Sequence, residues 1–385
     1  MPATRGGAMP NLVERLLTYN ELTGKQKFIV YSIFDSRAQL RSREFRRTEF
    51  RYIHNDSICS KIRRLGWTIW NRLTQRYDGS EYIRDVVHDL KKHADPVSYV
   101  IIENAPRFSM YLRRHFPDAE LILHLHNDWV NPEARYYRRI INSTDVFWGC
   151  SNFICNRINE EFSSKTVAVL YNGVNRRFFR KTEEGKMKFL RDQLGIGAGK
   201  HVIVFSGRIE PDKGVTDLLK AYRKLKTPNC VLLILGGTFY QKTEKTSYYR
   251  EVCALAKKSP QPVIFAGYIP YEEIPDYLSL ADLCIVPSAF QEPFGMVVVE
   301  AMARGLPVIA SKVGGIPEII DQNSGILIPR EEQFIENLAQ AADLLLQDGD
   351  LREQISKNAV QRAGTFSEER MCEEFYRRLE ELESS

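Results

Sequence analysis

The chain has 385 residues, a mass of 44.5 kDa, 43% apolar residues and 27% charged residues. At roughly 150 residues per domain, this length predicts two to three domains, and the composition excludes a disordered chain or a fibrous repeat. No run of about 18 apolar residues occurs, which excludes a membrane-spanning helix. Since the first residues also lack the apolar segment of a signal peptide, we expect a cytoplasmic protein.

The seven cysteines are scattered, odd in number and without a CxxC pair. This spacing favours reduced thiols and argues against a disulfide framework or a structural zinc site. The cytoplasm, which keeps thiols reduced, is the compartment that this pattern indicates.

The net charge of +5 is unevenly distributed, because residues 1–180 carry +10 and residues 181–385 carry −5. A basic half commonly faces an anionic partner, such as a phosphorylated substrate, lipid headgroups or nucleic acid. The basic charge is explained equally well by an ordinary arginine-rich surface that binds no particular partner. We expect no nucleic-acid partner, since the charge is modest and the sequence shows no module of stacking aromatic residues.

In the first half of the chain, apolar runs of strand length alternate with segments of helical period. This alternation is typical of a parallel α/β sheet. The strand candidates are residues 28–33, 97–103, 121–126, 146–150 and 167–171, and the helical segments lie near 9–22, 80–93, 106–116, 132–142 and 151–161.

The second half restarts the same alternation after a polar, glycine-bearing stretch at 180–200. Its strand candidates are residues 201–207, 231–237, 263–267, 283–288, 307–311 and 325–329, and its helices lie near 215–226, 247–258, 271–280, 296–304 and 331–347. The sequence predicts two Rossmann-like domains facing a central cleft, over residues 1–180 and 181–365. A C-terminal helix at 366–385 is expected to pack back on the first domain.

The start of the chain departs from this pattern. A doubly wound domain opens with a central strand, a glycine turn and a helix. Gly6 and Gly7 supply the turn and residues 9–22 the helix, but only five residues precede them. We expect the natural start to lie roughly ten residues upstream, one strand length plus a margin. Otherwise the sheet reorganises and activity is impaired.

The densest group of candidate site residues lies at 291–320, after a strand, where a helix is expected to open at about Phe294. The unpaired backbone N–H groups of Phe294, Gly295 and Met296 would attract an anion such as a diphosphate. Gly295 also permits close approach of the backbone, which a Cβ would block.

Two carboxylates, Glu292 and Glu300, belong to the same stretch. They are suited to bind a polyhydroxylated ligand, one holding a sugar and the other a ribose diol. Alternatively, Glu300 is a surface residue of the helix, and Glu292 is a carboxylate that favours the helix dipole. Pattern alone leaves these two interpretations balanced.

A second group follows the strand at 201–205 in the loop SGRIEPDKGV. Arg208 and Lys213 are cations on a loop that faces the ligand crevice in open α/β sheets, and such cations suit a diphosphate. The alternative is an exposed loop in which Asp212 neutralises Lys213. Farther along the same edge of the sheet, backbone groups accessible to a ligand are expected at Gly236 and Gly237 and around Gly267, Tyr268 and Ile269.

Taken together, these motifs resemble glycosyltransferase family 4, retaining enzymes of the two-domain GT-B fold that use nucleotide-activated sugars. The ordered set covers nearly the whole chain: RGGA at 5–8, His126 after an early strand, NGV at 172–174, SGRIEPDKG, EPFG with Glu300, and VxGGxPE at 313–318. RGGA and HNDW are similar to the branch of spore-coat-associated and polysaccharide-assembly glycosyltransferases.

The resemblance implies metal-independent transfer of a hexosyl group with retention, from a nucleotide-sugar that is expected to be a UDP-sugar. Arg208 and Lys213 would stabilise the leaving diphosphate, Glu292 would bind the donor sugar, and His126 would lie beside the anomeric carbon. The remaining donor-binding residues would be Gly7 near the reacting phosphate, Gly207, Tyr268 and Ile269 beside the base, Phe294, Gly295 and Met296 at the helix start, and Glu300 at the ribose. His124 is interpreted as a structural residue on the face opposite His126.

Residues 60–76 carry an apolar stripe at helical spacing, surrounded by cations. Such a helix could lie at an anionic membrane interface, placing the enzyme on the inner face of the membrane. A helix packing its stripe on the first sheet is the favoured interpretation. The stripe consists of Ile62, Leu65, Ile69 and Leu73 with Trp67 and Trp70, and the cations are Arg51, Lys61, Arg63, Arg64, Arg72 and Arg76.

Three functions remain open at this point. The leading one is a sugar transferase acting on a glycan, a lipid-linked molecule or a surface polymer. A coat-associated structural protein that keeps the fold without turnover, and a nucleotide-sugar epimerase or phosphorylase, are the alternatives. The presence of Arg208, Lys213, Glu292 and Glu300 disfavours the structural role.

Overall fold

The computed structural model describes residues 8–55, 58–74, 77–93, 97–159, 165–238 and 246–384. They form two compact units, one up to Tyr171 together with the residues from Cys372 onward, and one from Asn172 to Met371. The sequence prediction has its boundaries at 180 and 365. Residues 172–175 belong to the second unit because they pair with its last segment: Val174 N–H donates to Phe366 O, and Asn175 Nδ2 donates to Glu368 Oε2 at 2.8 Å.

The first unit alternates helices and strands along the chain. Its helices are α1 (Ala8–Thr23), α2 (Ser36–Ser42), α3 (Ile58–Leu73), α4 (Glu81–His93), α5 (Arg107–His115), α6 (Tyr137–Ser143) and α7 (Asn152–Asn159). Its strands are β1 (Phe28–Ile33), β2 (Thr48–Ile53), β3 (Tyr99–Glu103), β4 (Glu120–Leu125), β5 (Val146–Gly149) and β6 (Thr166–Val169).

These strands form two separate parallel sheets, β1-β2 and β3-β4-β5-β6. The centre of the larger sheet is the core of the unit, since the apolar residues of β4 and β5 are at most 2% exposed. Strands covered on both faces are apolar along their whole length, which is why these runs are readable in the sequence.

The second unit contains one six-stranded parallel sheet in the order β12-β11-β10-β7-β8-β9. Its strands are β7 (His201–Ser206), β8 (Cys230–Leu235), β9 (Val263–Gly267), β10 (Leu283–Val286), β11 (Val308–Ser311) and β12 (Ile326–Ile328). Its helices are α8 (Glu184–Leu194), α9 (Val215–Tyr222), α10 (Ser247–Lys257), α11 (Ile274–Leu278), α12 (Met296–Ala303), α13 (Ile316–Ile319), α14 (Phe334–Gln347) and α15 (Gly349–Ala363).

The last helix, α16 (Glu368–Ser384), begins in the second unit and continues into the first. Tyr376 is buried there, and its hydroxyl donates to Leu16 O at 2.9 Å. Arg378 Nη2 donates to Val169 O at the end of β6, also at 2.9 Å. The C-terminal helix thus packs on elements of the first unit.

The exposure of α3 contradicts the favoured interpretation of residues 60–76 as a core helix. Apart from Trp67, the apolar side chains of its stripe range from 49% exposed at Ile69 to 76% exposed at Leu73. Trp67 is the more covered tryptophan, because the Arg84 guanidinium lies 3.6 Å from the centre of its ring. No helix in the described parts of the chain has the length and apolar character needed to cross a bilayer.

Candidate active site

The predicted donor-binding residues of the second unit follow the carboxyl ends of β7, β9 and β10. In a parallel sheet these ends meet at one edge, where open α/β folds bind their ligands. Glycines let the loops at this edge approach one another closely. A Cβ on Gly214 would lie 2.0 Å from Pro287 O, and a Cβ on Gly236 would lie 2.0 Å from Gly207 O. Gly207 itself has a φ of 153°.

Lys213 and Glu292 form an ion pair at this edge, with Nζ 2.7 Å from Oε1. Both side chains are largely covered, at 19% and 13% exposed. Ser288 Oγ donates to the same carboxylate oxygen at 2.9 Å, and Lys213 Nζ lies 4.4 Å from the centre of the Phe290 ring. The structure therefore brings together a predicted phosphate-binding cation and the predicted sugar-binding carboxylate.

The backbone of Glu292 is fixed by the glycine pair that follows β11. Gly315 N–H donates to Glu292 O at 2.8 Å, and Gly314 N–H donates to Gln291 Oε1 at 2.7 Å. Gly314 has a φ of 56°, and a Cβ there would lie 2.1 Å from Glu292 O. This close approach explains why the sequence carries glycine at 314.

Arg208 is the more exposed of the two predicted cations, at 44%. Its guanidinium pairs with Glu210 Oε2 at 2.6 Å and lies 3.9 Å from Asp212 Oδ2. Asp212 thus faces Arg208, while Lys213 pairs with Glu292. The alternative in which Asp212 neutralises Lys213 on an exposed loop is wrong, because the loop turns the lysine toward the end of β10.

Helix α12 begins at Met296 rather than at about Phe294. Gly295 precedes it with a φ of 111°, a left-handed backbone that cannot continue a helix, and no described side chain caps the helix. Met296 and Gly295 therefore stand at the helix start, whereas Phe294 lies before it. The Phe294 ring is buried, with its centre 5.7 Å from that of Phe366.

Glu300 is 6% exposed, which excludes its interpretation as a surface residue of the helix. Its charge acts on Cys284 of β10, whose thiol has a pKa raised to about 12 by burial and then by the nearby carboxylate. Glu300 accordingly lies on the side of α12 that faces the sheet. A buried carboxylate of this kind is compatible with binding hydroxyl groups.

Beside Gly267, which has a φ of 74°, the two residues predicted to flank the base differ in exposure. Tyr268 is 40% exposed, whereas Ile269 is buried. An exposed aromatic ring offers a surface on which a base can stack.

In the first unit, His126 follows β4 and Glu103 ends β3. His126 Nε2 lies 3.2 Å from Glu103 Oε2, and His124 Nδ1 lies 3.1 Å from the same oxygen. The two imidazole rings are 4.2 Å apart. The expectation that His124 points to the opposite face is wrong, since residues two apart on a strand point the same way.

The glutamate between these histidines is a strongly perturbed carboxyl. Burial by itself would raise the pKa of Glu103, but the charge of His124 and hydrogen bonds from both imidazoles hold it well below its usual value. Within the described ranges, Glu103, His124 and His126 are also the group whose side chains could hold a metal ion, with ligand atoms within 4.8 Å of one another. Gly7, the remaining predicted site residue, lies outside the described residues.

Three residues that contact the predicted site residues or support their loops were not predicted from the sequence. Ser288 lies four residues before Glu292 and two residues after the end of β10, and a polar residue at the end of an apolar run could have indicated it. Glu103 is a charged residue at the end of an apolar run, and this position could have indicated it in the same way. Arg330, which donates to Pro287 O at 2.9 Å and supports the loop after β10, gave no signal.

Residues 186–362 match the family of glycosyl transferases group 1. A lipopolysaccharide 1,2-N-acetylglucosaminetransferase of Salmonella typhimurium is 33% identical over 226 residues, which are 58% of this chain and 57% of that protein. The chain thus spans little more than half the length of this relative. Spore coat protein SA of Bacillus subtilis is 29% identical over 314 residues, which are 77% of this chain and 81% of that protein.

The whole chain also resembles a solved structure. Crystal structures of Anabaena Alr3699/HepE with UDP and with UDP-glucose have TM-scores of 0.76 and 0.74, at 20% and 21% identity. Each covers 98% of this chain and 97% of HepE. The predicted GT-B fold and the resemblance to glycosyltransferases are confirmed. The narrower assignment to family 4 stays a prediction.

Proposed function

We propose, from the glycosyl transferases group 1 domain that residues 186–362 form, that this chain is a retaining glycosyltransferase acting on a nucleotide-sugar. The observation that carries the proposal is the ion pair of Lys213 with Glu292 at the carboxyl edge of the sheet in that domain. A cation for phosphate and an acceptor for sugar hydroxyls lie within 2.7 Å of each other there.

The donor diphosphate is expected to bind between the cations Arg208 and Lys213 and the start of α12. A guanidinium and an ammonium together neutralise charge that grows as the nucleotide departs. The backbone N–H groups of Gly295 and Met296 add the positive end of the helix dipole. Because these groups supply the charge, the proposed transfer does not require a metal ion.

The remaining contacts orient the donor. Glu292, fixed by the glycine pair after β11, accepts hydrogen bonds from the sugar hydroxyls, and the buried carboxylate of Glu300 accepts from the ribose diol. Tyr268 offers its ring to the base. We expect uracil there because HepE, which shares the fold, binds UDP and UDP-glucose.

The proposed mechanism is front-side displacement, in which the acceptor hydroxyl attacks the anomeric carbon from the face that the diphosphate leaves. No protein nucleophile is needed, since catalysis rests on positioning and on stabilising the leaving charge. His126 would lie beside the anomeric carbon, with its imidazole oriented by the hydrogen bond to Glu103.

The proposed acceptor is a glycan or a lipid-linked molecule presented at an anionic membrane surface. This part of the proposal is supported by the basic first half of the chain and by the exposed stripe of α3. A protein held there by charge and apolar contact would act as a peripheral enzyme on the cytoplasmic face of the membrane.

A screen of nucleotide-sugar turnover across the common donors tests the function. We expect release of the nucleoside diphosphate from one class of donor, and UDP-sugars are the class expected. The anomeric configuration of the product should be the same as that of the donor. Conversion of the donor to its epimer would favour the epimerase. Absence of turnover with every donor and with lipid-linked acceptors would favour the structural role.

A further inference from the structure

Three arginines of the first unit surround the ring of Tyr136. Arg107 begins α5, Arg135 precedes α6, and Arg139 lies in the first turn of α6. Their guanidinium carbons lie 5.8, 4.7 and 5.5 Å from the centre of the ring. These three residues, the arginine cluster, therefore place three positive charges within 5.8 Å of one point.

The charge of the arginine cluster is not neutralised within the described parts of the chain. All three side chains are exposed, and none of the guanidinium groups is in an ion pair with a described carboxylate. Other arginines of this region do have such partners. Arg114 of α5 pairs with Asp78 at 2.8 Å, and Arg157 pairs with Asp128 at 3.4 Å. Because like charges at this spacing repel one another, an anion from outside the chain would be attracted to the cluster.

The backbone that carries the arginine cluster is fixed by the rest of the unit. Tyr137 is buried, and its hydroxyl donates to Arg157 O at 3.1 Å. In the loop before α6, Asn131 Nδ2 donates to Asp128 O at 2.9 Å. Tyr136 has a φ of 72°, a left-handed backbone that is rare for an aromatic residue and is kept only where the surroundings impose it. The ring is thus held in place, and cation–π contacts hold the guanidinium groups around it.

The arginine cluster lies at the carboxyl edge of the larger sheet of the first unit. Arg107 follows β3, and α6 follows the neighbouring strand β4. The loop that leads to Arg107 is bound to His126, whose backbone N–H donates to Asn104 Oδ1 at 3.2 Å. The cluster and the histidine that is proposed to lie beside the anomeric carbon therefore belong to the same edge of the sheet.

We propose that the arginine cluster binds a phosphoryl group, in the form of a phosphate or diphosphate ester that the acceptor carries. Guanidinium groups bind phosphate oxygens in bidentate pairs. The tetrahedral arrangement of these oxygens lets several guanidinium groups bind one phosphate from different sides, whereas a carboxylate is planar and has only two oxygens. That the anion belongs to the acceptor rests on the proposed transferase function, but the binding of the anion does not.

Titration with inorganic pyrophosphate tests this site separately from the donor-binding residues. Every chain in the test carries Arg208→Ala and Lys213→Ala, which remove the two cations of the proposed donor site. A failure of the proposed donor site would therefore not change the outcome. Isothermal calorimetry measures the dissociation constant, and circular dichroism verifies that each chain is folded.

Two variants that lose the same number of charges are compared in this background. One removes the cluster by Arg107→Gln, Arg135→Gln and Arg139→Gln, and the matched control removes three other exposed arginines of the first unit by Arg37→Gln, Arg43→Gln and Arg46→Gln. We expect the dissociation constant for pyrophosphate to rise at least about tenfold in the cluster variant and to stay within about twofold in the control, because only the cluster variant loses charge-assisted hydrogen bonds to phosphate.

The single variant Arg135→Gln is a milder test, since it removes the guanidinium nearest to the ring and leaves the other two. It should raise the dissociation constant by about threefold, the size of one modest hydrogen-bond contribution. Equal dissociation constants for the cluster variant and the control would overturn the proposal. Absence of measurable pyrophosphate binding before the arginines are replaced would overturn it as well.

The phosphoryl group could belong to a soluble sugar phosphate or to a polyprenyl diphosphate in a membrane. Glucose 1-phosphate is tested as a competitor of pyrophosphate, and co-sedimentation is measured with phosphatidylcholine vesicles that contain or lack the polyprenyl diphosphate. Sedimentation that requires both the polyprenyl diphosphate and the arginine cluster would support a lipid-linked acceptor. Competition by glucose 1-phosphate without such sedimentation would support a soluble one. If neither ligand binds in a way that depends on the cluster, the assignment of the phosphoryl group to the acceptor is wrong.

Discussion

The ammonium of Lys213 lies 2.7 Å from the carboxylate of Glu292, and both side chains are more than four-fifths covered. The residues are 79 positions apart in the chain, so the contact depends on the approach of the loops after β7 and β10. A diphosphate that binds Lys213 must compete with Glu292 for the ammonium. The sugar hydroxyls that are proposed to bind Glu292 would satisfy the carboxylate at the same time, which couples the two halves of the donor.

The first prediction concerns the two cations. Lys213→Ala and Arg208→Ala should each lower turnover by about a hundredfold or more, because each removes stabilisation of the leaving diphosphate. Steady-state kinetics with the donor identified by the screen measures this. Lys224→Ala, which removes an exposed lysine of the same unit paired with Glu336, is the matched control and should leave turnover unchanged. Activity near that of the unaltered chain in both variants would remove the diphosphate role.

The second prediction concerns the glycine that fixes Glu292. Gly314→Ala would place a Cβ 2.1 Å from Glu292 O. In addition, an alanine in the left-handed backbone of this position costs about 1–2 kcal/mol. We expect a lower free energy of unfolding and weaker donor binding, by denaturant titration and by calorimetry. Gly349→Ala is the control, since a Cβ at the start of α15 meets nothing within 4 Å. Equal behaviour of the two variants would contradict the proposed constraint.

Much of this architecture could be predicted, because the buried parallel strands read as continuous apolar runs. Several of the elements that the sequence did not predict as regular structure have few buried residues. In α8 only Leu190 is buried, so its sequence shows no apolar stripe and it was interpreted as a boundary. Strand β2 and helix α2 were missed for the same reason, since Thr48 and Ala38 are the buried residues there. In all three elements, packing in the unit decides the structure, rather than a local pattern.

The candidate site was likewise predictable only in part. The motifs placed Lys213 and Glu292 at one edge of the sheet, but they could not predict the ion pair, since partner choice depends on how two distant loops meet. The contact of Glu103 with His124 and His126 could not be predicted from the sequence for another reason. It follows from the register of β3 on β4, which sets Glu103 opposite His124, and register becomes known only with the structure.

The third prediction concerns the pH dependence of stability. Glu103 has a pKa below its usual 4.5, so the unfolded chain takes up this proton at higher pH than the folded chain does. The stability it contributes is fully present above pH 4.5 and is lost as the pH falls below that value. Glu103→Gln should therefore reduce the slope of unfolding free energy against pH in the acidic range, by at most about 1.4 kcal/mol per pH unit. Glu332→Gln, at an exposed glutamate of the second unit, is the control and should leave the slope nearly unchanged. Identical slopes for Glu103→Gln and the unaltered chain would contradict the prediction.

The fourth prediction concerns metal ions. Arg208, Lys213 and the start of α12 are proposed to neutralise the diphosphate, so treatment with EDTA should leave turnover within about twofold of its initial value. Glu103, His124 and His126 provide a second check, because a metal held there would be removed by the same treatment. Complete loss of turnover in EDTA, restored by manganese or magnesium, would overturn the metal-independent mechanism. Restoration that depends on Glu103 would locate the metal in the first unit.

The last prediction concerns the exposed stripe of α3. Leu65, Trp70 and Leu73 are more than half exposed, and Lys61, Arg64 and Arg72 are exposed on the same helix. Each basic residue near an anionic surface adds on the order of 1 kcal/mol, and the apolar side chains add burial among the headgroups. The chain should therefore sediment with anionic vesicles at low salt and less so at high salt, because salt screens the charges. Leu65→Ser with Leu73→Ser should weaken this binding, whereas Phe189→Ser, which removes an apolar side chain 65% exposed on α8, should not. Equal and negligible binding to anionic and neutral vesicles would exclude a membrane role for α3, and the acceptor would then be a free or protein-borne glycan.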